Sequence, residues 1–334
     1  MPRTRIAVIG LGLAVTPHAK SLMDLADRVE VVAAVAPSAE RRKGFALRFP
    51  FPTADDVDGV LADKSISAVM ILTPPNTHLN LASRAARAGK HVLLEKPLEI
   101  TTDRAATLVR TVRAAGVRLG CVLQMRFRPA GRRLIELVDQ GALGHLVGAS
   151  LSVRWWRPQS YYDEPGRGSM SRDGGGVLIT QAIHALDLLL RLTGEVADVR
   201  SLQGKTAIHR MEGEDVVAAG VRYANGAIGS IDATTAAFPG FPERLELVGT
   251  KGTAAMTGGA LEVYYQDGRR ETIEAAGGTG GGADPMAFAH DAHRDLIADF
   301  LDAIEEKRDP TVTGEQLLEV HRLIDRLLDT GRPN

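Results

Sequence analysis

The stretch HVLLEKPL, His91 to Leu98, decides how the first part of this chain is read. Val92, Leu93 and Leu94 form a continuous apolar run, the pattern of a strand buried on both faces, as in a parallel sheet. Pro97 has no N–H to give to a ladder and ends the strand. Glu95 and Lys96 therefore stand at the carboxyl end of a buried strand, where ligands bind in open α/β sheets. The alternative reading of this segment alone is a surface ion pair at a solvated strand end.

Working outward, the same grammar repeats. RIAVIG (5–10) is a strand before a helix near 16–26, and VEVVAAV (29–35) a strand before a helix near 38–48. SAVMILT (67–73) precedes a helix from about Asn76 to Ala88, closed by Gly89. After HVLLEK comes a helix capped by Thr101 or Thr102 and closed by Gly116, then the strand RLGCVLQM (118–125). Strict β-α alternation predicts an α/β, Rossmann-type domain over residues 1–125, a doubly wound parallel sheet with helices on both faces. After Arg126 the pattern changes: a helix near 129–140, the strand LVGASLSVRWW, a Gly-rich loop and a helix near 177–192. From 196 to 266 the reading is mostly strands, with hairpin signals at YANGA and GTKGT, before helices near 286–306 and 314–330. Massed strands predict an α+β domain over 126–334 with a large, open, mostly antiparallel sheet. Too few helices remain to cover both of its faces. An exposed apolar face is therefore expected to pair with a second copy, in a homodimer or homotetramer. GGTGGG (277–282) reads as a mobile loop.

Composition excludes several partners. The 334 residues are 44% apolar and 24% charged with a formal net charge of −1, which gives no reason to expect nucleic acid or an acidic membrane. The single cysteine, Cys121, permits no internal disulfide and points to a reducing compartment. A strand beginning by Arg5 leaves no room for a signal peptide, and no apolar run approaches the roughly 18 residues of a membrane span. The expectation is a cytoplasmic protein acting on small molecules.

IGLGLAVTPH (9–18) follows the first strand and opens a helix. Gly10 permits a tight turn, and Gly12 lets backbone amides approach a pyrophosphate, with Leu11, Leu13 and Ala14 completing the loop. The third fingerprint position is Val15 rather than Gly or Ala. At the end of the second strand, where an acid would bind ribose hydroxyls, stands Ala36, followed by Ser38, Arg41 and Arg42. A hydroxyl and guanidiniums hold a 2′-phosphate and no carboxylate repels it, so NADP(H) is favoured over NAD(H).

In TQAIHALDLL, Thr180, His184 and Asp187 fall at i, i+4 and i+7, on one polar helix face. A lone helical histidine is by itself more often structural. VRWWRPQSYYDEPGRGS (153–169) interleaves aromatics with arginines. Trp156, Arg157, Tyr161 and Arg167 are candidate substrate contacts, or equally a cover for the sheet edge. HDAHRD (290–295) has the i, i+3 spacing of a metal pair but no third ligand, so no metal is expected and His293 is at most a rim contact.

These segments together resemble the glucose-fructose oxidoreductase / inositol dehydrogenase / rhizopine catabolism (Gfo/Idh/MocA) family of sugar dehydrogenases. The resemblance rests on GLGLAVTPH with its His18, on TPPNTHLNLASRAARAGKHVLLEKPL, on DGGGVLITQAIHALDLLLRLTG and on DFLDAIEEKRDPTVTGEQ. It implies that Lys96 reaches the substrate beside the nicotinamide, before a proline that is often cis, with Glu95 a cofactor contact or a residue orienting the lysine. It implies that Thr73, Pro74, Pro75 and His78 line the cofactor, that Gln124 lies near the nicotinamide carboxamide, and that His184 handles the hydroxyl proton. Thr180 departs from the usual Asp or Asn, which puts an inositol-type acid/base dyad in doubt. Asp187 reads as structural. Gly166 stands where relatives often carry tryptophan. The implied activity is NAD(P)-dependent hydride transfer to or from a sugar or polyol carbon. An NAD-dependent glycoside hydrolase of the same fold and a nucleotide-sensing regulator are the alternatives.

Overall fold

A computed structural model describes residues 3–275, 282 and 288–329. Contacts divide the chain into two compact units, Met1–Val122 with His290–Leu318 and Leu123–Ala289 with Glu319–Asn334.

The first unit holds six strands, β1 (Thr4–Ile9), β2 (Val29–Val35), β3 (Thr53–Ala54), β4 (Ala68–Ile71), β5 (His91–Leu94) and β6 (Leu119–Cys121). They lie in the order β3-β2-β1-β4-β5-β6, every pair parallel. This is the doubly wound Rossmann order, with the chain reversing direction across the sheet between β1 and β4. All four residues of β4 are buried, as a strand covered on both faces requires. The helices start and stop where local chemistry directs. Ser38 caps Ala39–Ala46, Asp56 caps Val57–Ala62 and Thr101 caps Thr102–Ala114, each accepting a backbone N–H from the first turn. Gly89 and Gly116 follow helix ends with φ of 73° and 71°, a region glycine enters without steric cost. Helix Asp291–Glu305 packs on helix Val15–Asp24 within this unit.

The second unit holds β7 (Leu146–Arg154), β8 (Val196–Gly204), β9 (Val216–Tyr223), β10 (Ile228–Thr234), β11 (Arg244–Gly249), β12 (Gly252–Thr257), β13 (Ala260–Tyr265) and β14 (Arg270–Ile273). Their order is β14-β13-β12-β11-β7-β10-β9-β8, antiparallel except for β7 with β10. The YANGA hairpin forms between β9 and β10, with Gly226 at φ 88°. GTKGT turns β11 into β12. One face packs against helices Pro129–Asp139 and Ile183–Thr193. Along β9, Val217, Val221 and Tyr223 point inward and Ala218, Gly220 and Arg222 outward, the period of two of a sheet with one solvated face. The expected loop at 277–282 falls, Gly282 apart, outside the described residues, as does the expected helix start at 286. No helix of the described residues is long and apolar enough to cross a membrane.

The outward face is less apolar than the strand pattern suggested. Register aligns Ser150, Ser152, Ala218, Gly220, Ser230, Asp232 and Glu246 upon it, with Leu202, Ile228 and Tyr264 exposed at 79%, 57% and 40%. Small side chains keep such a face flat enough for a second sheet to approach. Sedimentation at micromolar concentration is expected to give a dimer or tetramer; a monomer would contradict the assignment of this face to self-association.

Candidate active site

In the first unit the carboxyl ends of β1, β4 and β5 converge. Gly10 has φ 107°, and a Cβ there would sit 2.7 Å from the Leu72 carbonyl carbon, so the turn after β1 admits only glycine. A Cβ on Gly12 would meet nothing within 4 Å. Packing does not demand that glycine; it leaves the open approach a pyrophosphate needs. Helix Val15–Asp24 begins there with no side-chain cap and no acid in its first turn, so its amides and dipole remain available to an anion. Val15, at the third fingerprint position, is buried against the core. Leu11 is buried as well, while Leu13 is 55% exposed and Ala14 half-buried.

At the end of β2, Ala36 is buried and Ser38 Oγ accepts the Arg41 N–H at 3.2 Å. The two arginines differ. Arg42 donates to the carbonyls of Ala36 and Pro37 at 2.7 and 2.9 Å and pairs with Asp55 at 3.2 Å. Arg41 is exposed, with no partner among the described residues.

The Thr73–His78 segment is tied from within. Thr73 and Thr77 share a hydroxyl–hydroxyl bond of 2.7 Å, and Thr77 donates to the Pro74 carbonyl at 2.8 Å, with Pro75 opening the turn. His78 is fully buried, its Nδ1 2.9 Å from the Pro97 carbonyl and its Nε2 2.8 Å from that of Thr73. Burial pushes its pKa down, outweighing the two carbonyls that favour a charged ring, so the neutral ring has one N–H to give to one of the two.

Glu95 continues the β5 ladder, its N–H on the Ile71 carbonyl at 2.9 Å. Its Oε1 lies 2.8 Å from Nε2 of the buried His18, and its Oε2 accepts the Lys96 N–H at 3.0 Å. Burial alone would push this carboxyl up. The His18 hydrogen bond and the charges of His18, Lys96 and His293 outweigh it and hold the pKa at about 2. Lys96 is half-buried, and the Lys96–Pro97 peptide is cis.

His290 and His293 do not form a pair. His290 faces Asp24 at 2.8 Å, whereas His293, expected at a rim, is buried edge-on against the His18 ring at 5.1 Å. One helical turn separates them, and each is drawn to a different element.

The second unit carries the other candidates. The Gly-rich loop closes on Glu214, whose carboxylate accepts the N–H groups of Gly176 and Leu178, each at 3.0 Å. A Cβ on Gly176 would fall 1.7 Å from the Glu214 carbonyl oxygen, which explains the glycine. Burial pushes the Glu214 carboxyl up, against those two bonds. The helix so capped is not α throughout, as the sequence suggested: Leu178–Ala182 is a π-turn and only Ile183–Thr193 is α. Such turns cluster at functional sites. Thr180 and His184 are half-buried on this helix, and the Thr180 hydroxyl donates to the Gly176 carbonyl at 2.6 Å. Asp187 is withdrawn from their face. It is fully buried in a bidentate pair with Arg126, at 2.7 and 2.5 Å. Burial pushes its carboxyl up while Arg126 pulls it down.

Gln124 opens the short turn Gln124–Phe127. Its side-chain oxygen is buried and has no hydrogen-bond partner among the described residues. A buried acceptor left open suits an amide N–H. Trp156 packs on Phe238 and His209. Arg157 is 1% exposed and donates to Gln181, a residue sequence reasoning passed over. Tyr161 receives donors from both Arg167 and Gln181. Gly166 adopts φ 78°, with Arg172 Cδ 2.8 Å from where a Cβ would stand, so tryptophan there would be strained. Gln181 carries one local signal, its position three residues before His184 on the same helix. Glu214 carries none, because its partners lie almost forty positions earlier in sequence.

Comparison with known proteins identifies the family of both units. Residues 4–122 match the model of an oxidoreductase family with an NAD-binding Rossmann fold, and 132–255 match the GFO/IDH/MocA C-terminal domain. The chain is 30% identical to 1,5-anhydro-D-fructose reductase of Ensifer adhaerens over 86% of this chain and 84% of that protein. It is 25% identical to myo-inositol 2-dehydrogenase of Thermotoga maritima, over 93% and 91%. The WlbA dehydrogenase of Bordetella pertussis, solved with NADH and UDP-GlcNAcA, superposes with a TM-score of 0.83 at 26% identity, over 99% of this chain and 97% of that one.

Glu95 yields a prediction on stability. Its carboxyl drops from 4.5 to about 2 on folding. A depressed carboxylate stabilises above its unfolded pKa and loses that contribution as pH falls through the folded value. At about 1.4 kcal/mol per pKa unit the contribution is at most ~3.5 kcal/mol. Urea midpoints of wild type and Glu95→Gln are expected to differ most above the unfolded value of 4.5 and to converge below it. A gap independent of pH would contradict the His18–Glu95 assignment.

Proposed function

The chain belongs to the Gfo/Idh/MocA oxidoreductase family, and from that premise we propose that it interconverts a secondary alcohol and a ketone on a sugar or polyol, with Lys96 and His184 handling the hydroxyl proton. It is an NAD(P)-dependent oxidoreductase of the sugar and inositol dehydrogenase type, with relatives that act on sugar CH–OH groups. A bound nicotinamide supplies the hydride acceptor or donor. The residues named above fit that cofactor: Gly10 and Gly12 leave open approach beside a helix start, and Gln124 offers a buried acceptor to a carboxamide.

The observation that carries the reading is the fixing of Lys96. Its own N–H is held by the Glu95 carboxylate, which is itself held by His18. The lysine therefore leaves β5 in a determined direction, at the end of the strand where α/β sheets bind ligands. An ammonium there donates to the reacting oxygen and eases departure of its proton. His184 receives that proton in the oxidative direction and returns it in the reductive one, a task suited to an imidazole, which has both an accepting and a donating nitrogen. The Thr180 hydrogen is engaged by the Gly176 carbonyl, so its oxygen serves only as an acceptor and cannot steady an imidazolium as a carboxylate would. Retention of both Lys96 and His184 favours an enzyme over a nucleotide sensor.

For the cofactor we propose a preference for NADP(H), read by Arg41 and Ser38. Arg42 is engaged by carbonyls and Asp55, which leaves Arg41 to reach a 2′-phosphate. The solved relative above holds NADH, so the preference rests on this chain's own residues.

A panel of sugars, sugar acids and polyols, run with each cofactor and followed by absorbance of the reduced nicotinamide, tests both points. Turnover of at least one CH–OH compound is expected, with no turnover on the panel as the contradicting result. Arg41→Ala is expected to weaken NADP(H) by about tenfold, or 1–2 kcal/mol, and NAD(H) far less. Equal weakening of the two would remove Arg41 from the 2′-phosphate.

A further inference from the structure

We propose that Tyr161 presents its phenolic hydrogen to an acceptor oxygen of the substrate, and that Arg157, Gln181 and Arg167 are positioning residues that leave the phenol no other role. The proposal deepens, and rests on, the reading of this site as one for a sugar or polyol.

The argument is an accounting of donors. A guanidinium can only donate. Arg157 Nη2 lies 3.0 Å from Gln181 Oε1, so that end of the Gln181 amide is its oxygen and the other end its NH2 group. The NH2 group donates to Tyr161 Oη at 2.9 Å. From the other side Arg167 Nη1 donates to the same oxygen, also at 2.9 Å. Arg167 is steadied by Glu164 at 2.9 Å and lies over the Tyr161 ring, 4.5 Å from its centroid. Arg157 is anchored beneath, donating to the Trp156 carbonyl at 2.9 Å and to that of Gly282 at 2.5 Å. A phenol oxygen accepts at most two such bonds and has one hydrogen to give. Both accepting positions are filled, and no described residue accepts the hydrogen. Tyr161 is half-buried, so that hydrogen has access to a ligand.

The location gives this donor its meaning. Gln181 follows Thr180 directly and precedes His184 by three residues, on the helix that carries the proton-handling histidine. The relay thus grows from the same element as His184. The ligand atom it suits is one able to accept: a ring or glycosidic ether oxygen, a carbonyl, a carboxylate, or a hydroxyl used as acceptor. A group that can only donate, such as an ammonium, is disfavoured there.

The test uses the full chain with four probes: myo-inositol, D-glucose, levoglucosan and D-glucuronate. Turnover gives KM and kcat. Quenching of intrinsic fluorescence gives binding without turnover, because the only two tryptophans, Trp155 and Trp156, flank the relay. For the probe bound best by wild type, Tyr161→Phe is expected to raise KM and the dissociation constant about tenfold, with a smaller fall in kcat. Gln181→Glu is expected to do the same although the phenol remains, because an acceptor replaces the donating NH2 and turns the Tyr161 hydrogen inward. A residue that merely covers the sheet edge would not show this second effect. Binding by either variant within twofold of wild type overturns the proposal, as does a wild type that binds none of the four. Binding lost in both variants but without turnover in the wild type supports this proposal and contradicts the oxidoreductase reading instead.

Discussion

The carboxylate of Glu95 is the constraint on which the first unit's site depends. It is largely shielded at the end of a strand, its side chain 12% exposed, where an ionised group is costly unless every oxygen is served. His18 serves one oxygen from the helix that follows the nucleotide loop, and the Lys96 N–H serves the other. One side chain therefore couples the turn after β1 to the turn after β5, across the end of β4. His78 completes the arrangement, packed between the Thr73 and Pro97 carbonyls with one N–H to give to one of them. The three strand ends that would meet a dinucleotide and its substrate are locked to one another by buried polar contacts. Reacting atoms need such fixed placement, because small displacements from a productive geometry are costly in rate.

The second unit solves the same problem with different groups. Glu214 caps the π-turn at its start, and Asp187 with Arg126 anchors its α-helical continuation from below. Thr180 and His184 lie between those two fixed points. The buried arginines act here as donors that orient other side chains: Arg126 holds Asp187, and Arg157 holds Gln181. Because guanidinium cannot accept, each fixes the polarity of its partner, and the order of donors propagates outward to Tyr161.

Much of this was legible in the sequence where the signal is periodic or local. Continuous apolar runs gave the five longer parallel strands, and alternation gave the open sheet. The two-residue β3 and the short helix Val57–Ala62 are too brief to hold a period. Nothing in the amphipathic pattern of Asp291–Glu305 says which helix it will cover, and that choice is what buried His293 against His18. A π-turn reads as α because it reuses the same residues with one shifted hydrogen bond. The structural reading of Asp187 agrees with its pairing to Arg126. Arg157 reads from the sequence as a substrate contact or a cover for the sheet edge, and its burial is unexpected because arginine is seldom buried; that burial depends on Gln181 and on backbone carbonyls that no local pattern links to it. The charge pattern treated Arg41 and Arg42 alike, and only the position of Asp55 separates them.

The central claim is that Lys96 acts on the reacting oxygen and not on cofactor docking. Lys96→Met retains the stem and removes the charge and all three donors, so kcat and kcat/KM on a verified substrate should fall together by about 10²–10⁴-fold. Cofactor affinity, measured by fluorescence of the reduced nicotinamide, should stay within a few-fold, because the Gly10–Gly12 loop proposed to receive the pyrophosphate lies at another strand end. Wild-type turnover in Lys96→Met would contradict the account, and so would a loss of turnover matched by an equal loss of cofactor binding.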